Sequence, residues 1–528
     1  MQKKYHKIFI VLIFLFLFSK LNAQTAHYWV FFKDKNGSTF HPFEYFDAKA
    51  IERRIKSGVD LYDSTDFPLN QDYIYKVSEL VEWVNVQSRW FNAVSVAANE
   101  KQIKDLQTLS FIKKIQPITT KAILMRNRYD TLITRSEKDL LNLQTGRMQA
   151  DSFWQAGFSG KGIKIAVFDA GFPNVDKSPV FSHLFKNKQI LKTYDFARKK
   201  EEVYSHNEHG TMVLSCIAGK THGQNMGLAP DAQFLLARTE VSTEPFSEEE
   251  NWLAAMEWAD KNGADIISSS LAYTYHRYYT FQMDGHTSLV AKAANMAAGK
   301  GMIVVNAMGN DGDLDWKILA TPADADSVIS VGAINPYTDF HASFSSFGPN
   351  ANYQRKPNVV AIGTVIAAGK NKLQKVKGTS FATPLVTGFI ACAWQSRPFL
   401  TNMQLFDLIE QSGDLYPYFD YAHGYGVPQA SFFTATELLH LDSTFDFVQE
   451  DNKLIVRVDK KLIVRKNGKM NNYLYYNIKD ENGIIQSYWL IDVYQKDAVL
   501  LDLAEIPENG SVTVHFKGFT NVYKKGTE

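Results

Sequence analysis

The chain has 528 residues, room for three or four domains of about 150 residues and far more than a disulfide-dependent scaffold needs. Hydrophobic residues make up 45% and charged residues 21%, which excludes a disordered protein and a multi-span membrane protein. Lys plus Arg (57) against Asp plus Glu (56) leaves a net charge of +1 with no long block of one sign, so nucleic acid is excluded as the expected partner.

At the amino terminus, Lys3, Lys4 and Lys7 precede an unbroken apolar run over 8–18 and the small-residue close Leu21-Asn22-Ala23. This order predicts a secretory signal peptide over 1–23 and an exported mature chain, periplasmic or extracellular, with no stable membrane insertion. The run is short for a helix that must cross about 30 Å of hydrocarbon. Residues 28–117 then read as strand (28–32), helix (47–56), strands (80–87 and 91–97), helix (100–109) and strand (111–116). That split βαβ pattern predicts a ferredoxin-like α+β domain over 24–117. After Pro117 the composition turns polar, with Arg126, Arg128, Arg135, Glu137, Lys138 and Asp139, and 118–147 is expected to be a linker holding a processing site.

From 148 to 437, apolar runs at 163–168, 234–238, 265–268, 302–306 and 327–331 alternate with helical stretches at 212–218, 247–262 and 288–300. This predicts an α/β domain, a parallel sheet with helices on both faces and sites at the carboxyl ends of its strands. From 441 to 528, short alternating strands such as 454–458 and 512–516, with Asn-Gly pairs beginning at Asn467, Asn482 and Asn509, predict a small β-sandwich. The two cysteines, Cys216 and Cys392, each sit in an apolar helical stretch and are expected to be buried free thiols rather than a disulfide.

Three motifs carry chemistry. Ile165-Ala166-Val167-Phe168-Asp169-Ala170-Gly171 places a carboxylate where a buried strand ends, and a charge there needs a partner. Glu208-His209-Gly210-Thr211 places a histidine at the start of an apolar helix, where the helix dipole is expected to lower its pKa. Gly378-Thr379-Ser380-Phe381-Ala382-Thr383-Pro384 places a serine ahead of the helix continuing from Leu385, with Pro384 expected in the first helical turn. Singly, each is the ordinary pattern of a cap or core residue. Together they give the chain order Asp, His, Ser, which is that of subtilisin and differs from the chymotrypsin-like and α/β-hydrolase orders. Adding the segments Trp154 to Gly162, Ala342 to Pro349 and Gly424-Tyr425-Gly426, the stretch 149–430 resembles the subtilisin-like serine proteases, the subtilases.

The resemblance implies a subtilisin-like fold and a secreted serine endopeptidase working through an acyl-enzyme on polypeptide substrates, without a cofactor. Ser380 would be the nucleophile, His209 the general base and then acid, and Asp169 the group that orients the imidazolium. Asn310, in Ala307-Met308-Gly309-Asn310, would join the Ser380 backbone N–H in an oxyanion hole. Ser270, Leu271, Ala272 and Gly309 would line extended substrate by β-addition. Residues 24–117 resemble the family's inhibitory propeptide, notably at Phe91-Asn92-Ala93-Val94 and Phe111-Ile112-Lys113, so this domain would act as the chain's own inhibitor. The helical stretch around Glu52-Arg53-Arg54 departs from a minimal propeptide. Ala170, Met212, Ile362, Ala272 and Tyr273 stand where relatives commonly carry other residues, and none removes a catalytic atom. A zinc site from His206, Glu208, His209 and His222 has the wrong spacing. The family's calcium loop is expected to be missing, because 219–228 contains no Asp or Glu. The alternative, a degenerate subtilase serving as a binding scaffold, gives no chemical reason to keep Asp169, His209, Asn310 and Ser380 at once.

Overall fold

The structure, a computed structural model, describes residues 25–118, 128–130, 136–221, 223–241, 248–274, 277–435, 442–464, 472–494, 496 and 498–526. The expected signal peptide, His222 and Asn467 lie outside them. The described residues form two compact units, one drawn from Met1–His41 and Tyr62–Thr120, the other from Pro42–Leu61 and Lys121–Glu528.

The chain begins with β1 (Ala26–Phe32), α1 (Pro42–Tyr45), α2 (Ala48–Lys56), α3 (Gln71–Ser78), β2 (Trp83–Ser88), β3 (Ala93–Ala98), α4 (Glu100–Gln107) and β4 (Ile112–Pro117). In the first unit the four strands pair antiparallel in the order β2-β3-β1-β4, the expected ferredoxin-like order, but its first helix is α3, which the sequence reading did not mark, and not the helix read at 47–56. Its core joins Val30 and Phe32 of β1, Val94 and Val96 of β3, Ile74 and Val77 of α3 and Leu106 of α4. Both helices start on asparagine caps: Asn70 accepts from the Tyr73 N–H, and Asn99 forms a reciprocal box with Gln102. α1 and α2 belong to the second unit although they interrupt the first in sequence.

The second unit continues with β5 (Arg128–Asp130), α5 (Ser136–Gly146), α6 (Ala150–Gln155), β6 (Lys164–Asp169), α7 (Ser182–Lys186), β7 (Ile190–Asp195), α8 (His209–Ala218), β8 (Lys220–Thr221), β9 (Gln224–Asn225) and β10 (Gln233–Arg238). Next come α9 (Glu248–Lys261), β11 (Ile266–Ser269), α10 (Leu289–Gly299), β12 (Ile303–Ala307), β13 (Val328–Ile334), β14 (Val359–Ile362), β15 (Thr364–Ala368), β16 (Leu373–Lys377) and α11 (Thr379–Ser396). Seven parallel strands run in the order β14-β13-β12-β11-β6-β10-β7. Central strands are buried along their whole length because helices cover both faces. Ile165 and Val167 pack with Met212 of α8 and Phe389 of α11, while Phe168, pointing the other way, meets Trp252 of α9 with ring centroids 5.9 Å apart.

The sequence reading missed the two edge strands. β7 is only half buried and carries Lys192 and Thr193, and β14 is four residues long and follows Pro357, so neither presents a long apolar run. The stretch read as a linker also holds structure. α5 docks through Leu140 and through Gln144, whose Oε1 accepts from the Ile366 N–H at 3.0 Å and whose Nε2 donates to Met226 O at 2.6 Å. Its apolar spacing was masked by the surrounding charges. Cys216 and Cys392 are free and buried.

The chain closes with α12 (Asn402–Gln411), α13 (Ser431–Thr434), β17 (Phe445–Glu450), β18 (Lys453–Val458), β19 (Tyr473–Lys479), β20 (Ile485–Asp492), β21 (Ala498–Asp502), β22 (Ser511–Phe516) and β23 (Phe519–Lys524). Two antiparallel sheets, β17-β18-β21 and β20-β19-β22-β23, share one core that includes Leu454, Val456, Leu501, Leu474 and Val514. This is a sandwich, and Asn482-Gly483 turns β19 into β20.

Candidate active site

Asp169 ends β6 with no exposed surface. Its Oδ1 accepts from the Ala170 N–H at 2.7 Å, so a backbone donor serves it where the side chain at 170 has none. His209 opens α8, and its Nδ1 lies 2.8 Å and 3.0 Å from the two Asp169 carboxylate oxygens. Gly210 makes that approach possible: a Cβ there would fall 2.4 Å from Gly171 O and 2.9 Å from Asp169 Cβ.

The helix start was expected to lower the His209 pKa, and this is corrected. Burial pulls it down, but the Asp169 charge and hydrogen bond outweigh burial, and the pKa is raised above its ordinary value of 6.5. A carboxylate in contact acts more strongly than a helix end, whose effect is modest.

Ser380 is the second residue of α11 and is buried. The neighbouring Phe381 ring lies 5.5 Å from the His209 ring, which brings the histidine to the amino end of the serine helix. Pro384 lies inside α11, not in its first turn. A proline has no N–H to give the carbonyl four residues back, and that carbonyl is Ser380 O. The Ser270 hydroxyl donates to it at 2.9 Å, and the Ser380 hydroxyl donates to Ser270 O at 3.3 Å. The Ser270 side chain thus holds the nucleophile's backbone, a role the sequence reading did not assign to it.

Asn310 Oδ1 accepts from the Thr379 N–H at 2.9 Å and from the Thr379 hydroxyl at 3.0 Å. These bonds fix the amide plane, with Nδ2 at 3.4 Å from where a Cβ on Gly378 would sit. Thr379 was not foreseen, although it adjoins the serine in the motif. Gly309 is buried and its carbonyl accepts from the Thr379 hydroxyl at 3.2 Å. Leu271 is buried, its carbonyl taken by Asn306 Nδ2 at 3.0 Å, while Ala272 remains partly exposed.

Beside this segment, the buried Tyr273 hydroxyl donates to Glu240 Oε1 at 3.0 Å, and Arg277 pairs with Glu248 and Glu249 at 2.9 Å and 3.0 Å. Burial first, then the charge of Glu248, holds the Glu240 carboxyl well above the ordinary carboxylate range. Nothing in the spacing of these residues announced the cluster.

Among the described residues weighed as metal ligands, His206 and Glu208 have other neighbours. His206 Nε2 lies 3.8 Å from Asp195, and Glu208 accepts from the Lys370 N–H at 2.7 Å and from Gln374 Nε2 at 3.2 Å. Residues Gly219 to Leu228 include the small β8–β9 hairpin.

β16 leads directly into Gly378, Thr379 and Ser380, and β15 pairs one of its edges. β5 pairs the other, antiparallel, with residues 128–130 opposite 377–375.

The model of the Subtilase family matches residues 160–426, and that of the Peptidase S8 propeptide domain of Bacteroidota matches residues 27–131. The chain is 31% identical over 267 residues to the thermophilic serine proteinase of Bacillus sp. (strain AK1), covering 50% of this chain and 59% of that protein. It is 28% identical over 316 residues to the serine protease AprX of Bacillus subtilis (strain 168), covering 53% of this chain and 68% of that one. With the minor extracellular protease Epr of the same strain it shares 28% identity over 330 residues, 61% of this chain and 46% of Epr.

Proposed function

The chain belongs to the subtilase family, and from that membership we propose that it is an exported serine endopeptidase acting on polypeptides through Asp169, His209 and Ser380. The observation that carries the reading is the Asp169–His209 pair, 2.8 Å apart, seated at the amino end of the helix that bears Ser380. With Nδ1–H donated to the carboxylate, Nε2 is left as the basic nitrogen. Ser380 Oγ exchanges its bond to Ser270 O for one to Nε2, attacks the peptide carbonyl and gives its proton to His209. The oxyanion takes the Ser380 backbone N–H and Asn310 Nδ2, whose orientation is set before substrate arrives. His209 protonates the leaving amine, and water then cleaves the acyl-enzyme by the same route in reverse.

Residues 24–117 are the inhibitory prosegment in this reading, and maturation cuts within 118–147. The backbone pairing of β5 along β16 supports it, since an extended polypeptide would add to that edge in the same manner. Export rests on the order of segments in 1–23; among the described residues no helix is long and apolar enough to cross a membrane. The retained side chains at all four catalytic positions leave the scaffold alternative without support. A serine-reactive fluorophosphonate tests the reading: it is expected to modify Ser380 in the mature protein and to leave Ser380→Ala unlabelled. Absence of labelling in a folded, processed wild type would overturn it.

A further inference from the structure

Residues 42–61 interrupt the amino-terminal unit in sequence yet belong to the second unit, and the contacts explain why. Arg53 and Arg54 on α2 are 3% and 0% exposed, and Asp260, in the last turn of α9, is 1% exposed. Arg54 grips both Asp260 oxygens, at 2.8 Å and 2.6 Å. Arg53 donates to Asp260 and Ala264 O, and through Nε to Lys300 O at 3.1 Å. Lys49 pairs with Asp265 and donates to Gly162 O. The Asp47 N–H donates to Lys261 O at 2.8 Å, and its carboxylate takes Lys164 Nζ at 3.3 Å. Gly263, at φ +74°, lies where a Cβ would come within 2.8 Å of Asp47 Oδ1.

A carboxylate in a helix's last turn is disfavoured by the helix dipole, and a buried one needs cationic partners. Both guanidiniums that meet this need at Asp260 come from α2. The acceptors lie at the amino ends of β6, β11 and β12, while Asp169 and Asn310 lie at the carboxyl ends of β6 and β12. The attachment is therefore independent of occupancy of the catalytic cleft.

We propose that α1 and α2 form a retained clamp: after the chain is cut beyond 118, residues 42–61 stay on the catalytic unit as a non-covalently bound peptide. Since 25–41 and 62–118 are joined covalently to its two ends, a single cut leaves the whole amino-terminal fragment attached. Shedding that fragment needs further cuts on both flanks of the clamp. The clamp refines the prosegment reading above, but its test does not depend on catalysis.

A site-specific protease sequence is placed within 119–127 of full-length Ser380→Ala, and the purified chain is cut with the added protease. On size-exclusion chromatography the amino-terminal fragment is expected to co-elute with the catalytic fragment, also at 1 M salt, because buried ion pairs are screened little. Arg53→Ala/Arg54→Ala in the same background is expected to weaken retention by at least about 100-fold. Loss of the fragment from the parent chain as readily as from the double variant overturns the clamp. If the double variant does not fold, Lys49→Ala and peptide mapping of the self-matured wild type decide: a catalytic fraction lacking a 42–61 peptide overturns it. Neither outcome bears on whether Ser380 reacts with the fluorophosphonate.

Discussion

At Ser380, His209 and Asn310 the expected outcomes separate by size. Ser380→Ala is expected to lower kcat by a factor on the order of 10⁶, since nucleophile and base act as one unit; near-normal turnover on a peptide substrate would refute the assignment. Asn310→Ala is expected to lose about 10²–10³ in kcat with KM little changed, and a rise in KM alone would make it a substrate-binding group. Because the His209 pKa lies above 6.5, and the base must be neutral, activity is expected to fall in acid with a midpoint above that value. Asp169→Asn removes the raising charge, so burial then moves the midpoint down. A pH–rate profile of each form checks this, and a wild-type midpoint below 6.5 contradicts it. The same raised pKa contributes stability that is complete below about 6.5 and fades as pH rises through the folded value, opposite in sense to the activity. These candidate residues could be singled out in the sequence because each sits in a tight glycine-bearing motif. The direction of the His209 shift was not legible there, because it depends on Asp169, 40 residues away in sequence.

Among the elements, α11 shows what local reading can and cannot supply. Its motif announces a serine at a helix start, but the place of Pro384 depends on where the helix begins, and Ser270 becomes its remedy only when β11 ends beside α11. Ser270→Ala leaves the Ser380 carbonyl without the donor Pro384 cannot provide, and is expected to cost about 1–3 kcal/mol of stability together with a fall in kcat. Urea unfolding and steady-state kinetics measure the two; an unchanged midpoint and rate would mean that the bond does not matter. The strands of the large sheet were readable at its centre and unreadable at its edges, where half-exposed residues break the run in β7 and only four residues make up β14. The β8–β9 hairpin occupies a stretch without carboxylates. Melting of the mature protein with chelator or with calcium is expected to give midpoints within about 10 °C; a larger shift would reveal a coupled metal.

In the whole molecule, the sandwich is built onto the α/β body rather than strung behind it. Asn477, fully buried on β19, donates to Phe419 O at 2.7 Å, and Tyr475 packs on Tyr418 with ring centroids 5.9 Å apart. A chain ending at 441 is expected to melt at lower temperature and to aggregate, since it exposes the buried Tyr418 and Phe419. Equal melting of the truncated and full forms would show the sandwich to be dispensable for stability. The sandwich strands could be predicted from alternation, but their seat on the α/β body could not, because it is made by single aromatic and amide side chains with no periodicity. The placement of α2 also orders events in time. Arg54 is synthesised 206 residues before Asp260, and Arg53 247 residues before the Lys300 carbonyl it caps. Contacts across such separations close late, so a nascent chain that stops short of Asp260 carries the amino-terminal strands but no carboxylate to receive the two guanidiniums, and the clamp becomes a mark that synthesis has passed α9 and, once the Lys300 carbonyl is capped, α10.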